Sequence, residues 1–231
     1  MKLLNSGNTK TRKGEKLGWL TFGIHLAPHT LAGRNVCSHA SEGCSNACLN
    51  LSGMGTFPNV QAARIAKTKF FFEDRPAFMA QLFKEIKSAI KSGARKGLKP
   101  CFRLNLTSDL PWESIKHEGQ SVIEAFPDCQ FYDYSKIPSR ITDMLKGKFP
   151  ANYHLTFSRS ECNDQIVDSV LAGGGNVAAV FRGELPETWK GKPVVNGDET
   201  DLRFLDPKGC VVGLVEKGLA KKDETGFVLE S

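Results

Sequence analysis

The sequence predicts an α/β domain in which short parallel strands alternate with helices. Two observations carry this. Apolar runs of five to eight residues recur along the 231-residue chain, separated by stretches with helical spacing. Nearly every run ends in a cluster of Asn, Asp, Ser, Thr or Gly, as strands of such domains do before the chain turns back. A third feature concerns chemistry. Three of the seven cysteines, Cys37, Cys44 and Cys48, fall on one short polar loop after the first run.

Taken in order, Trp19 to Leu26 reads as the first strand. Residues 59–96 read as helical with a break at Asp74-Arg75-Pro76, where Asp74 can cap and Pro76 suits a first turn. The second half carries Phe78, Leu82, Phe83, Ile86 and Ile90 at helical spacing, a core-facing stripe. Cys101–Leu106 is the second strand, and residues 114–125 are expected as a short helix. Strands follow at 130–134, 153–158, 177–181 and 211–215, with helices at about 138–146 and 163–171. The second of these helices stops at Gly173-Gly174-Gly175. The stretch 182–209 carries no long helical pattern. The pattern alone leaves open whether the six strands close into a barrel or lie flat.

Composition narrows the class. Hydrophobic residues are 40% and charged residues 24%, enough for one domain with a core. No apolar stretch approaches the roughly 20 residues of a membrane span. Residues 1–16 read as a basic polar tail without an apolar leader core, so a reducing cytoplasmic setting with free thiols is expected. The net charge of +6 gathers partly in residues 10–16 and 84–99. That is an ordinary solvated excess, or a means of steering a nucleotide or nucleic-acid substrate.

The cysteine loop is the strongest chemical signal. Three thiolates on a loop rich in Ser, Gly, Asn and Ala suit a soft metal centre. Three cysteines leave one iron of a [4Fe–4S] cube without a protein ligand, open to a small molecule. With His39 they would instead make a Cys3His zinc site, as in nucleic-acid-binding modules. Cys101, Cys129, Cys162 and Cys210 read as buried, inert thiols, and Trp112 as core or pocket wall. At the strand ends stand Asp109, Lys136, Ser158, Glu161, Arg182, Asp198 and Asp201, which in a parallel fold surround one mouth.

On the loop Cys37…Gly43-Cys44…Ala47-Cys48, the chain resembles the radical S-adenosylmethionine superfamily. It more closely resembles a family of phage-encoded proteins that shares the loop. That family also has segments of the kinds Leu104–Asp109, Tyr132–Lys136, Leu155–Ser158 and Asp201–Pro207. The phage likeness covers most of the chain and assigns no activity. The superfamily likeness implies a partial (β/α)6 TIM-like barrel over residues 1–231. It also implies a [4Fe–4S] cluster on Cys37, Cys44 and Cys48, S-adenosylmethionine held by Asp109, Ser158 and Glu161, and an external electron donor. Lys136, Arg182, Asp198 and Asp201 would face the substrate. A phage origin would place the protein in the host bacterial cytoplasm. The loop departs from the superfamily: its spacing is Cys-x6-Cys-x3-Cys rather than Cys-x3-Cys-x2-Cys, and Ala47 stands where an aromatic is usual. The alternatives are an iron–sulfur protein without S-adenosylmethionine chemistry, or the zinc module.

Overall fold

The structure is a computed structural model and describes residues 1–6 and 12–231. Residues 7–11, inside the expected basic tail, lie outside the described residues. The strands are β1 (Leu4–Ser6), β2 (Trp19–Ile24), β3 (Lys99–Arg103), β4 (Lys116–His117), β5 (Gln120–Ser121), β6 (Gln130–Ser135), β7 (Tyr153–Ser158), β8 (Val177–Phe181), β9 (Thr188–Trp189), β10 (Lys192–Asn196), β11 (Val211–Val215) and β12 (Val228–Leu229). The helices are α1 (Glu42–Asn46), α2 (Pro58–Glu73), α3 (Arg75–Lys96), α4 (Val122–Ala125), α5 (Pro138–Leu145) and α6 (Asp164–Ala172).

Ten of these strands make one mixed, mostly parallel sheet. The order β2-β3-β6-β7-β8-β11 follows the chain, with β1 antiparallel on one edge and β10 and β9 beyond β11. Among the described residues the sheet does not close on itself. Helices α2 to α6 contribute their apolar residues to a single core on one face of the sheet, consistent with crossovers of one hand.

Side chains alternate between the two faces along each strand. Leu20, Phe22, Ile24, Phe102, Phe131, Leu155 and Phe157 enter the helix-covered core. Phe22, Phe102 and Phe131 are register neighbours, and their rings stack at 5.9 and 5.2 Å. The expected break between α2 and α3 is present: the Asp74 side chain accepts from the Ala77 N–H at 3.0 Å. Phe78, Leu82 and Ile86 are buried, with Phe83 and Ile90 partly so.

The opposite face carries Thr21, Cys101, Arg103, Tyr132, Tyr134, His154 and Thr156. A 3-10 turn, Arg203–Leu205, covers part of it. There Phe204 meets Trp19 edge-on at 4.8 Å and Tyr132 at 5.4 Å. Beneath, Arg103 donates to both oxygens of Asp201 at 2.9 and 3.1 Å, and the Tyr132 hydroxyl donates to the same carboxylate at 3.1 Å.

Four expectations are corrected. Residues 116–121 form a hairpin, and only 122–125 are helical, because Ser121 and Glu124 make a reciprocal cap there. The start of the chain is not a polar tail: Leu3 and Leu4 are buried, their N–H groups bonded to the Glu85 carboxylate, and residues 4–6 pair with β2. Strand β11 is not the last. Sheet neighbours β7 and β8 share only two paired positions, and β12 pairs with β8 above them. Cys162 is exposed, whereas Cys101, Cys129 and Cys210 are buried as expected.

Candidate functional site

At the C-terminal ends of the parallel strands lies a cavity of about 680 Å³. Its wall includes all three loop cysteines together with Asp109, Lys136, Ser158, Asp198 and Asp201. Glu161 and Arg182 do not line it.

Each cysteine is held by a different part of the chain. After β2, Ala27 N–H donates to the Thr68 hydroxyl at 2.8 Å, and Thr107 donates to the Leu26 carbonyl at 2.6 Å, fixing where the loop departs. The Cys37 sulfur accepts the His29 N–H at 3.5 Å. Cys44 sits on α1, whose cap Ser41 accepts from the Cys44 N–H at 3.2 Å. Glu161 clamps that short helix: its carboxylate accepts from the Ser41 hydroxyl and the Gly43 N–H, both at 2.7 Å. Gly43 is required by close approach, since a Cβ there would come within 2.3 Å of Thr225 Oγ1 and 2.4 Å of Phe227 Cβ. The Cys48 sulfur accepts the N–H of Asn50. Asn50 is fully buried and tied to α2: its side chain donates to Gln61 at 3.2 Å and accepts from Arg64.

Burial pushes the Cys37 thiol up to about 11, against the opposing His29 N–H, with Cys44, Cys48 and Asp109 adding to the rise. Burial likewise raises Cys48, while its Asn50 hydrogen bond and the nearby Arg64 and Lys136 pull the other way. Cys44 thus acts on both of the other thiols. Among the described residues, no group of three or more His, Cys, Asp or Glu side chains is placed to hold a single metal ion. His39 is exposed, with its ring nitrogen 3.0 Å from the Ser38 hydroxyl, and does not reach the cavity.

The remaining expected residues divide. The Asp109 carboxylate is engaged on both oxygens, accepting from Arg140 Nη1 at 2.7 Å and the Lys136 N–H at 2.8 Å. Arg140 also forks onto Glu113 and donates to the Tyr153 hydroxyl at 2.6 Å, so Asp109 belongs to a buried ionic network. Ser158 ends β7 at the cavity wall, its carbonyl accepting from Asn163 at 3.0 Å. Asp198 accepts from Lys217 at 2.5 Å and from the Val215 N–H at 3.2 Å. Arg182 lies apart, bonded to Glu230 and to the Lys221 and Asp223 carbonyls, where it ties down the C-terminal segment.

Sequence reasoning missed Arg64, Tyr134 and Phe227, which also line the cavity. Helix α2 did carry a signal for the first. Its buried positions Arg64, Lys67, Thr68 and Phe71 form a mostly polar stripe at helical spacing, the reverse of a core-facing helix. Phe227 has no such signal, because only the C-terminal segment's return to the sheet brings it there. His25, at the end of β2, is lowered to about 3 by burial, then by Arg64, Lys67 and Arg103, so it presents a neutral ring to the cavity.

A family model described as Gene product 88 matches residues 2–231. Among curated proteins, ERO1-like protein 2 of Schizosaccharomyces pombe is 28% identical over 95 residues, covering 38% of this chain and 17% of that protein. The chain therefore spans well under a fifth of that relative's length. No solved structure matches.

Proposed function

The chain belongs to the phage-type Gene product 88 family, and from that premise we propose that it is an iron–sulfur protein. In this reading Cys37, Cys44 and Cys48, which line the cavity, would hold a [4Fe–4S] cluster and leave one iron without a protein ligand. The observation that carries it is the convergence of three thiols, each with its own outer support, on one cavity at the strand ends. The donor set fits. A cube takes one thiolate per iron, so it needs no point where all three sulfurs meet, as one zinc ion would. The N–H donors of His29 and Asn50 to sulfur are contacts of the kind that steady and tune such clusters. With His39 outside the cavity, a Cys3His zinc site draws less support.

When bound, such a cluster supplies single electrons and one open iron position for a small ligand. The chain's own residues do the rest. Glu161 fixes α1 and therefore Cys44. Asn50, held by Arg64 and Gln61, fixes the turn after Cys48. Arg64 and Lys136 place positive charge beside Cys48, which favours deprotonating the thiols that a metal requires.

Strand order in chain sequence, with helices on one face, supports a partial six-stranded barrel of the radical S-adenosylmethionine type, open at its edges. In that reading Ser158 and Asp109 would hold S-adenosylmethionine, Lys136, Asp198 and Asp201 would face the substrate, and the electron would come from an external donor. A second reading is an iron–sulfur protein without that cofactor. It is favoured by one observation: Asp109 and Glu161, both expected to contact S-adenosylmethionine, are already engaged by Arg140 and by α1. Either activity is assigned to the cytoplasm of the bacterial host. No helix among the described residues is long and apolar enough to cross a membrane.

The test is anaerobic purification with iron, sulfide and zinc analysis, followed by incubation with dithionite and S-adenosylmethionine. Iron and sulfide in equal amounts are expected, and methionine with 5′-deoxyadenosine if the first reading holds. Iron and sulfide without cleavage select the second. Stoichiometric zinc without sulfide ends both.

A further inference from the structure

Among the described residues, the charges of the cavity wall do not balance. Asp109 is matched by Arg140, Asp198 by Lys217 and Asp201 by Arg103. Arg159, also in the wall, is matched by Asp164. Among the described residues, two cations of the wall are left without a carboxylate. Arg64 is 9% exposed, hydrogen-bonds to the neutral Asn50 and lies near Cys48, and its buried Nε has no hydrogen-bond partner among the described residues. Lys136 has no carboxylate partner among the described residues, and its ammonium lies 5.5 Å from the Phe227 ring. Tyr134 stands near the end of β6 and Lys136 just beyond it, and both line the cavity. The Tyr134 hydroxyl is buried and has no hydrogen-bond partner among the described residues. Buried cations and buried donors without partners are costly unless something completes them.

We propose that the cavity binds a phosphate-bearing ligand, whose oxygens accept from Lys136, the Tyr134 hydroxyl and Arg64. This names a substrate class for the site proposed above and rests on that reading only for the reaction, not for the binding. An oxidised [4Fe–4S] cluster on three thiolates carries one net negative charge, so it offsets one of the two surplus cations and leaves the other. Donors rising from two elements, helix α2 and the end of β6, suit a tetrahedral group that presents oxygens in several directions. A flat carboxylate is matched better by a single fork such as the one Arg140 already offers Glu113. The Phe227 ring in the same wall offers an apolar face beside the anion, which suits an organic phosphate.

The test is equilibrium binding of inorganic phosphate, with acetate as the competing carboxylate probe. It is run on the full-length protein both metal-free and after anaerobic cluster loading. Phosphate is expected to bind in both forms and acetate at least tenfold more weakly. Lys136→Gln and Tyr134→Phe should each weaken phosphate binding about tenfold or more, the worth of one hydrogen bond to a charged group. Arg64→Gln reads the third donor, with circular dichroism checking that each variant is folded. Phosphate bound by the metal-free protein and lost on cluster loading would show that the two cations serve the cluster alone, and would overturn the proposal. So would acetate binding as tightly as phosphate, binding unchanged in Lys136→Gln and Tyr134→Phe, or an adventitious ion only, seen as weak binding unaffected by any variant. Phosphate binding in a protein that never takes up iron would keep this inference and sink the cluster instead.

Discussion

The two faces of the sheet use the same strands for different ends. On the helix-covered face, Phe22, Phe102 and Phe131 stack across three neighbouring strands within a continuous apolar core. On the other face, residues one step along the same strands (Cys101, Arg103, Tyr132 and Tyr134) meet Asp201 and the turn at Arg203. The first face stabilises without direction, roughly in proportion to area. The second is directional, because buried polar groups must be matched donor to acceptor. Over these three strands the fold separates apolar packing from polar matching by residue parity, whereas Asp133, on Phe131's side of β6, joins a polar network with Asn105 and Tyr153.

Substitutions on the two faces break this comparison at different points. The largest effect is expected from Phe102→Ala, which opens a void between two stacked rings and should cost about 3–5 kcal/mol in urea unfolding. Next comes Asp201→Asn on the opposite face, at about 3 kcal/mol, because it strips the charge from the partner of a buried arginine. The double replacement Arg103→Met with Asp201→Leu should recover most of that loss. Recovery would show that the ionic face is kept for the site rather than for stability, and a loss as large as the sum of the singles would refute it.

A smaller, pH-dependent effect belongs to Asp133, buried at the base of the site. It accepts the Asn105 N–H at 2.7 Å and the Tyr153 hydroxyl at 3.0 Å. Burial pushes its carboxyl up to about 7 against those hydrogen bonds and the nearby arginines Arg140 and Arg103. The folded value lies above the unfolded one of about 3.9, so the stability it contributes is complete below about pH 4 and is lost as the pH rises through about 7. Unfolding followed from pH 4 to 8 should show a decline on the order of a few kcal/mol in the native protein that is flattened in Asp133→Asn. An equal slope in both would remove Asp133 from the account. The smallest effect is Glu161→Gln, expected to cost about 1–2 kcal/mol through weakened hydrogen bonds to α1 and to lower iron content more than it lowers stability. Iron retained in full would mean that Cys44 needs no clamp.

The apolar face was legible in the sequence, because Phe78, Leu82 and Ile86 repeat at helical spacing and strands such as Tyr153–Ser158 read as continuous runs. The three cysteines and most of the rim were legible for a similar reason: strand ends in a parallel sheet gather on one side. What was not legible depends on contacts distant in sequence. Glu161 looked like a ligand contact because its true partner, the Gly43 N–H, is 118 residues away. Arg182 looked like part of the mouth, but the C-terminal segment captures it. Strands β1 and β12 are too short to show a period, and they exist because the sheet edge and the gap above the β7–β8 pairing await partners. Asn50 and Asn105 could not be told from ordinary loop asparagines. Each is a hub: Asn105 Oδ1 alone accepts from Ser108, the Leu110 N–H and the Trp112 indole.

The central claim is that three sulfurs at the end of the sheet share one iron–sulfur cube. It is met most directly by measuring iron and acid-labile sulfide per chain after anaerobic reconstitution, comparing Cys44→Ala with Cys162→Ala and the native protein. We expect about four irons in the native protein and in Cys162→Ala, with most of that iron gone from Cys44→Ala. Full iron occupancy in Cys44→Ala, or an equal loss from Cys162→Ala, would contradict the account.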